Sequence, residues 1–260
     1  MHADVSLLDL RLRRRSLLGY TLGMALYALV IVALYPQFKN AASLNQLSGS
    51  TAAALFGVTG SLTSPAGWLD GNLYQNFLPL VMLLITVGYG ASCVAGQDED
   101  GTLSLAATLP ISRRRLLLQK VATLGVQAAL LSVVTMVCVV IGRQFALSVD
   151  LADLAGISLG LALLGLDFGL LALAIGSWTG SRGLALGVTA SLAAASYLVS
   201  SLASAIAWIR PAKYASLFYW SIGNGQLERG LSAAAIGVLV CVGAALLVLS
   251  LLAFDRLDLH

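Results

Sequence analysis

The chain alternates long apolar stretches with short polar segments. Five of the apolar stretches contain no charged residue, and a sixth, from Leu154 to Ser181, contains only Asp167. Each stretch reaches the roughly 20 mostly apolar residues that a membrane-spanning helix needs. The pattern therefore predicts an all-α integral membrane protein, with one transmembrane domain over residues 1–260. We place its six transmembrane helices at residues 17–36, 75–95, 118–141, 152–177, 184–208 and 232–254.

The composition agrees with a membrane protein. Hydrophobic residues make up 58% of the chain and charged residues 10%, whereas about 25% of the residues of a soluble domain are charged. The net charge of +3 gives no reason to expect nucleic acid as a partner. The three cysteines lie in apolar stretches without metal-ligand spacing, so no bound metal is expected.

Basic residues predict the orientation. Six spans place both termini on one side, and cytoplasmic loops of membrane proteins carry the excess of Lys and Arg. With cytoplasmic termini, ten basic residues lie inside and five outside, and the clusters 11–15 and 113–115 both lie inside. Twelve arginines against three lysines favour a GC-rich bacterial genome. We therefore expect a multi-pass protein of the bacterial inner membrane, in contact with the lipid bilayer and with both termini in the cytoplasm.

The connecting segments predict smaller elements. Residues 4–15 are typical either of an amphipathic surface helix or of a simple positively charged flank. In the external loop 37–74, residues 41–58 predict a short interfacial helix, and the Pro and Gly residues of 65–71 predict turns. Segment 209–231 predicts either re-entrant short helices or an aromatic belt at the lipid headgroups. Glycine pairs four residues apart, such as Gly165 and Gly169, predict close helix packing.

The segment between the second and third spans is the most informative. Acidic residues at 98–100 precede a run, Gly101 to Leu109, that is long enough for about two helical turns, and acidic groups favour a helix start. Leu103, Ala106 and Leu109 fall on one face of that helix. Pro110 ends it, and Ser112 is placed to cap the third span. The segment predicts a short amphipathic coupling helix on which a partner protein pushes; a capped loop without a partner is the alternative.

This segment resembles that of ABC transporter permeases of the type-2 exporter class. Their pattern is Gly-Glu-Glu-x-x-Gly-Thr-Leu, then Pro-x-Ser-Arg and a span. Gln97 replaces the usual Glu, and Leu217 stands where proline is common. The matching central residues are Gly96, Gln97, Asp98, Gly101, Thr102, Leu103, Pro110, Ser112, Arg113 and Lys120. Further matches lie at 56–57, 65–69, 79, 179–182, 216–220 and 223.

The resemblance implies a permease subunit of an ATP-driven exporter, with a cytoplasmic coupling helix between spans two and three. Two permease subunits, identical or paralogous, would form the pathway. A separate cytoplasmic ABC ATPase would bind Mg-ATP, because none of the three lysines of this chain follows a glycine as a P-loop requires. This chain itself would bind no cofactor and have no catalytic residue. The ATPase-coupling residues implied are Gln97, Asp98, Glu99, Asp100, Gly101, Thr102, Leu103, Leu109 and Pro110.

Two other functions are alternatives to this one. An intramembrane protease lacks support, because the histidines lie only at positions 2 and 260 and the two glutamates, Glu99 and Glu228, lie outside the spans. An ion-coupled secondary transporter would use Asp167, the one ionisable residue deep in a span. Asp167 is alternatively structural, hydrogen-bonded to a partner such as Gln127 or a serine. The few polar residues of the spans favour an amphipathic or lipid-like cargo.

Overall fold

The computed structural model describes residues 5–39, 61, 63–99, 101, 112–206 and 208–256, and every regular element within them is helical. Six helical segments are long and apolar enough to cross a membrane. The predicted all-α fold with six transmembrane helices is therefore confirmed. In chain order, the first to sixth spans are Arg13–Phe38, Pro65–Gly96, Arg114–Phe145, Leu151–Thr179, Arg182–Ala203 and Ala233–Asp255.

The helix bounds show that some spans combine several helical types. The α-helices are Val5–Phe38, Pro65–Leu69, Phe77–Ala91, Gln97–Glu99, Arg113–Ile141, Leu151–Thr179, Arg182–Ala205, Leu217–Ser221, Gln226–Arg229 and Ala233–Arg256. The π-helices are Asp70–Tyr74 and Ser92–Gly96, and the 3₁₀-helices are Gly142–Phe145 and Arg210–Ala215. Both π-helices lie in the second span, one near each end.

The second span begins earlier than the sequence predicted. We expected turns over residues 65–71, but Pro65 starts a helix that leads into the span, so that expectation is wrong. Ser64 caps this helix by accepting a hydrogen bond from the backbone N–H of Gly67 at 3.1 Å, and proline is favoured at a first helical position. Trp68 then anchors it, since its indole N–H donates to the carbonyl of Ile31 at 3.0 Å.

The fourth span is the centre of the bundle. It packs against the second, third, fifth and sixth spans, and its glycines permit the closest approaches. A methyl group on Gly90 would overlap the carbonyl oxygen of Gly169, and one on Gly165 would lie 2.6 Å from the side chain of Met82. The predicted pair Gly165 and Gly169 is thus confirmed as a packing site.

The first span packs mainly against the third. Its helix runs unbroken from Val5 to Phe38, so the residues before the predicted span continue the same helix. A methyl group on Gly19 or Gly23 would meet no described neighbour. The predicted interfacial helix at 41–58 lies outside the described residues.

The segment 210–229 folds as three short helices against the opposite end of the bundle from the arginine-rich starts of the first, third and fifth spans. Gln226 holds it together, since its amide nitrogen donates to the carbonyls of Tyr219 and Trp220 at 3.2 and 3.1 Å. Gln75 of the second span fastens it by donating to the carbonyl of Ile222 at 3.0 Å. The segment thus contains short helices, as one of the two alternatives expected, but three of them; the re-entrant path and the aromatic belt stay predictions.

Candidate coupling site and membrane groove

The basic end of the bundle, which carries the starts of the first, third and fifth spans, gathers polar side chains around the end of the second span. There the π-helix Ser92–Gly96 passes into the short helix Gln97–Glu99. Arg13 of the first span donates to the hydroxyl of Ser92 and lies 5.0 Å from the centre of the Tyr89 ring. This hydrogen bond and cation–π contact join the first span to the end of the second.

Gln97 joins the second span to the third. The ammonium group of Lys120 donates to its side-chain oxygen at 2.7 Å. Lys120 is only 1% exposed, so its charge is shielded from solvent. A buried charge is costly unless it is hydrogen-bonded, so the amide oxygen of Gln97 stabilises the lysine at this position. Gln97 is therefore linked to the core of the bundle.

Glu99 joins the same short helix to the fifth span. Its carboxylate Oε1 accepts a hydrogen bond at 2.8 Å from the backbone N–H of Arg182, the first residue of that span. Ser181 caps the same helix by accepting from the N–H of Leu184 at 3.4 Å. The first N–H groups of a helix have no partner within it and carry partial positive charge, so a carboxylate is stabilised there.

Small residues bring the second, fourth and fifth spans together just inside this site. A methyl group on Gly176 would lie 3.3 Å from the side chain of Ala95 and 3.6 Å from that of Ala185. One on Gly96 would lie 3.4 Å from the side chain of Arg182. The polar contacts of Gln97 and Glu99 therefore lie next to a region where the three spans are closely packed.

The structure describes only part of the predicted coupling segment. It covers the backbone of residues 97–99 and Gly101, where φ is +66° and glycine is favoured. Ser112 caps the third span as predicted, accepting from the N–H of Arg115 at 3.4 Å. The side chain of Asp98 lies outside the described part, as do all of Asp100, Thr102, Leu103, Leu109 and Pro110. The short helix between Gly101 and Leu109 thus stays a prediction.

A groove of about 790 Å³ lies between the first, second and fifth spans. It runs from Gly88 and Leu186 towards the opposite end, where Asn72 and Asn76 lie. None of the described residues that line it is charged. Aliphatic and aromatic residues form most of the wall: Phe77, Pro79, Leu80, Leu83, Leu84, Val87, Leu186, Ala190, Ala193, Ala194 and Phe218.

The polar groups of the groove are largely engaged with one another. Tyr27 donates to the carbonyl of Asn72 at 2.9 Å, and Tyr197 donates to the side-chain oxygen of Asn76 at 2.9 Å. The amide of Asn76 in turn donates to the carbonyl of Gly71 at 2.7 Å. Since these donors are already used, the groove presents mainly apolar surface to an occupant.

The two intramembrane candidates, Asp167 and Gln127, lie outside the groove wall. Asp167 is 1% exposed, and neither carboxylate oxygen has a hydrogen-bond partner among the described residues. The amide nitrogen of Gln127 is likewise without one. The expected hydrogen bond of Asp167 to Gln127 or a serine is therefore not formed. A methyl group on Gly243 of the sixth span would lie 2.7 Å from Oδ1 of Asp167, so the carboxyl packs against helix backbone.

The contact of Glu99 with the fifth span was missed at the sequence level. The acidic residues at 98–100 were expected to favour the start of the coupling helix that follows them, whereas the Glu99 carboxylate lies at the start of a helix 83 residues away. The feature of the sequence that could have indicated this contact is the segment Thr179–Arg182. It lies between two apolar stretches and therefore at the start of the next helix. In the described part of the chain no cluster of His, Cys, Asp and Glu is suited to a metal ion.

Comparison with known proteins identifies the family. No curated protein matches the sequence. A family model described as ABC-2 family transporter protein matches residues 4–259, nearly the whole chain. The match spans all six apolar helices, the end of the second span and the groove. The chain belongs to the ABC-2 family of transporter proteins.

Proposed function

We propose that this chain is the permease subunit of an ATP-driven exporter in the bacterial inner membrane, with both termini in the cytoplasm. Its family membership supports a transport role. The sequence contains no P-loop, so the energy would come from a separate ABC ATPase that binds Mg-ATP. In this orientation the basic end of the bundle faces the cytoplasm, as the positive-inside rule requires.

The observation that carries the proposal is the attachment of residues 97–99 to the bundle. Gln97 is bonded to Lys120 of the third span and Glu99 to the backbone of the fifth, while Ser92 just before them is bonded to Arg13 of the first. Residues 97–99 continue the second span and are bonded to the third and the fifth, so a push on the segment 97–110 would pass into all three. A connector without a partner needs no such attachments.

The groove would form one side of the transport pathway. It lies between the first, second and fifth spans, and a second permease subunit packed over it would enclose a pathway. Its apolar surface favours an amphipathic or lipid-like cargo, because few free donors are present to hold a strongly polar one.

The experiment is affinity isolation of the ATPase by permease variants in the coupling segment. Leu103 and Leu109 share the proposed docking face, and Ser104 lies on the opposite side of the same predicted helix. We expect Leu103→Asp to abolish recovery of the ATPase, since an apolar side chain buried in an interface contributes about 2 kcal/mol. Ser104→Asp introduces the same charge away from that face; it is the control and should retain binding. Equal recovery by both variants, with normal membrane insertion, would contradict the proposal.

A further inference from the structure

We propose that Glu99 is the contact through which the coupling segment moves the fifth span and thereby changes the width of the groove. This inference rests on the proposed ATP-driven function. It assigns the movement to the fifth span, whereas the coupling helix predicted from the sequence lies between the second and third spans.

The position of the contact supports this assignment. Glu99 holds the N–H of Arg182, and Leu186, one helical turn further along the same helix, is a wall residue of the groove. The wall continues along that helix through Ala190, Ala193 and Tyr197. A displacement of the helix start is therefore carried along one continuous α-helix, Arg182–Ala205, to the side chains that line the groove.

The fifth span is also the one least held by the bundle. Only 17% of the most apolar 18-residue stretch of the fifth span is buried within the protein. The corresponding share of the second span, which forms the facing wall, is 67%. Less buried area means a smaller loss of packing when a helix shifts. Within the single chain, the fifth span is therefore the wall that can shift at the lower packing cost, and the second is the more firmly packed one.

The other two attachments act as anchors. Lys120 is buried and bonded to Gln97, so the third span stays with the end of the second. Arg13 connects the first span to Ser92 and Tyr89 in the same way. Glu99 differs because its side chain is exposed and its partner is a helix terminus. The attraction between the carboxylate and the helix start keeps the two together while the segment moves, so a displacement of Glu99 is passed to the fifth span.

The test measures the groove width in the complete complex of permease and ATPase. Spin labels on Leu84→Cys of the second span and Ala190→Cys of the fifth report on the two walls, after Cys93, Cys138 and Cys241 are replaced by alanine. The separation is recorded with and without Mg-ATP. We expect a nucleotide-dependent change when Glu99 is present. In Glu99→Ala the change should fall about fivefold or more, the lower end of typical coupling between sites, and so should the transport per ATP of the unlabelled protein.

Two further variants test whether the effect depends on the carboxylate of Glu99 in particular. Glu99→Gln keeps an acceptor oxygen without the charge and should give an intermediate change. Asp255→Ala removes another carboxylate at the same end, one that pairs with Arg114 of the third span at 3.0 Å, and should leave the change intact. An equal nucleotide-dependent change in Glu99→Ala and the parent, or none in the parent, would overturn the inference while ATPase binding still supports the proposed function. Absence of ATPase binding by the parent chain would contradict both.

Discussion

Gly243 of the sixth span lies against the carboxyl group of Asp167 in the fourth, so that a methyl group on residue 243 would be 2.7 Å from Oδ1. Asp167 thus packs against the backbone of the sixth span, although neither of its oxygens has a described hydrogen-bond partner. The two residues mark a point of close approach between the fourth and sixth spans.

The first prediction follows from this contact. Gly243→Ala should destabilise the bundle by about 1–3 kcal/mol, the usual cost of overpacking a closely packed site. Asp167→Ala removes the group that the new methyl would strike, so the double variant should recover most of the loss. Thermal unfolding of the purified protein in detergent measures both effects. Additive losses in the double variant would show that the contact does not limit the packing.

The second prediction separates the transport mechanisms. Asp167→Asn should keep most ATP-driven uptake of a lipophilic fluorescent dye into inverted vesicles, because no described partner depends on the charge and the two side chains have nearly the same size. Ion coupling through Asp167 predicts instead that the neutral amide abolishes uptake while the protein still assembles. Assembly is checked by size-exclusion chromatography of the same preparations.

A third prediction compares two glycines of one helix. Gly90→Ala should be strongly destabilising, because its methyl group would overlap the carbonyl oxygen of Gly169 and force the second and fourth spans apart. Gly88→Ala, two residues earlier, meets no described atom within 4 Å. It should be neutral or stabilising by up to about 1 kcal/mol through helix propensity. Similar melting temperatures for both variants would rule out the close helix contact.

The fourth prediction concerns the groove. Ala190→Phe should fill part of its wall and lower dye uptake severalfold, while the ATPase remains bound. Ala195 lies on the same helix, is exposed and does not line the groove, so Ala195→Phe is the matched control. If both variants reduce uptake equally, the effect comes from bulk on the fifth span and the groove is not the pathway.

Hydropathy and charge were sufficient to predict the six spans, and most bounds are within about four residues of the structure. The reason is local: a lipid-facing helix needs a run of apolar residues whatever its neighbours are. The second span was predicted to start at residue 75 but starts at Pro65. Asp70, Gln75 and the glycines resemble a loop in sequence. Residues 65–74 are nevertheless helical, because Ser64 caps the first helix and Trp68 is held by the first span.

The tertiary structure alone decided which residues meet. Residues 97–99 were identified in the sequence as part of a coupling segment, yet the partners of Gln97 and Glu99 lie 23 and 83 residues away. Contacts between side chains of different helices depend on how each helix is rotated about its axis and how far it is shifted along it. The pattern of apolar residues does not determine either quantity when most faces of a helix are apolar. The same holds for Asp167, whose depth was evident from the sequence. Its neighbour, the backbone at Gly243, became known only once the fourth and sixth spans were packed together.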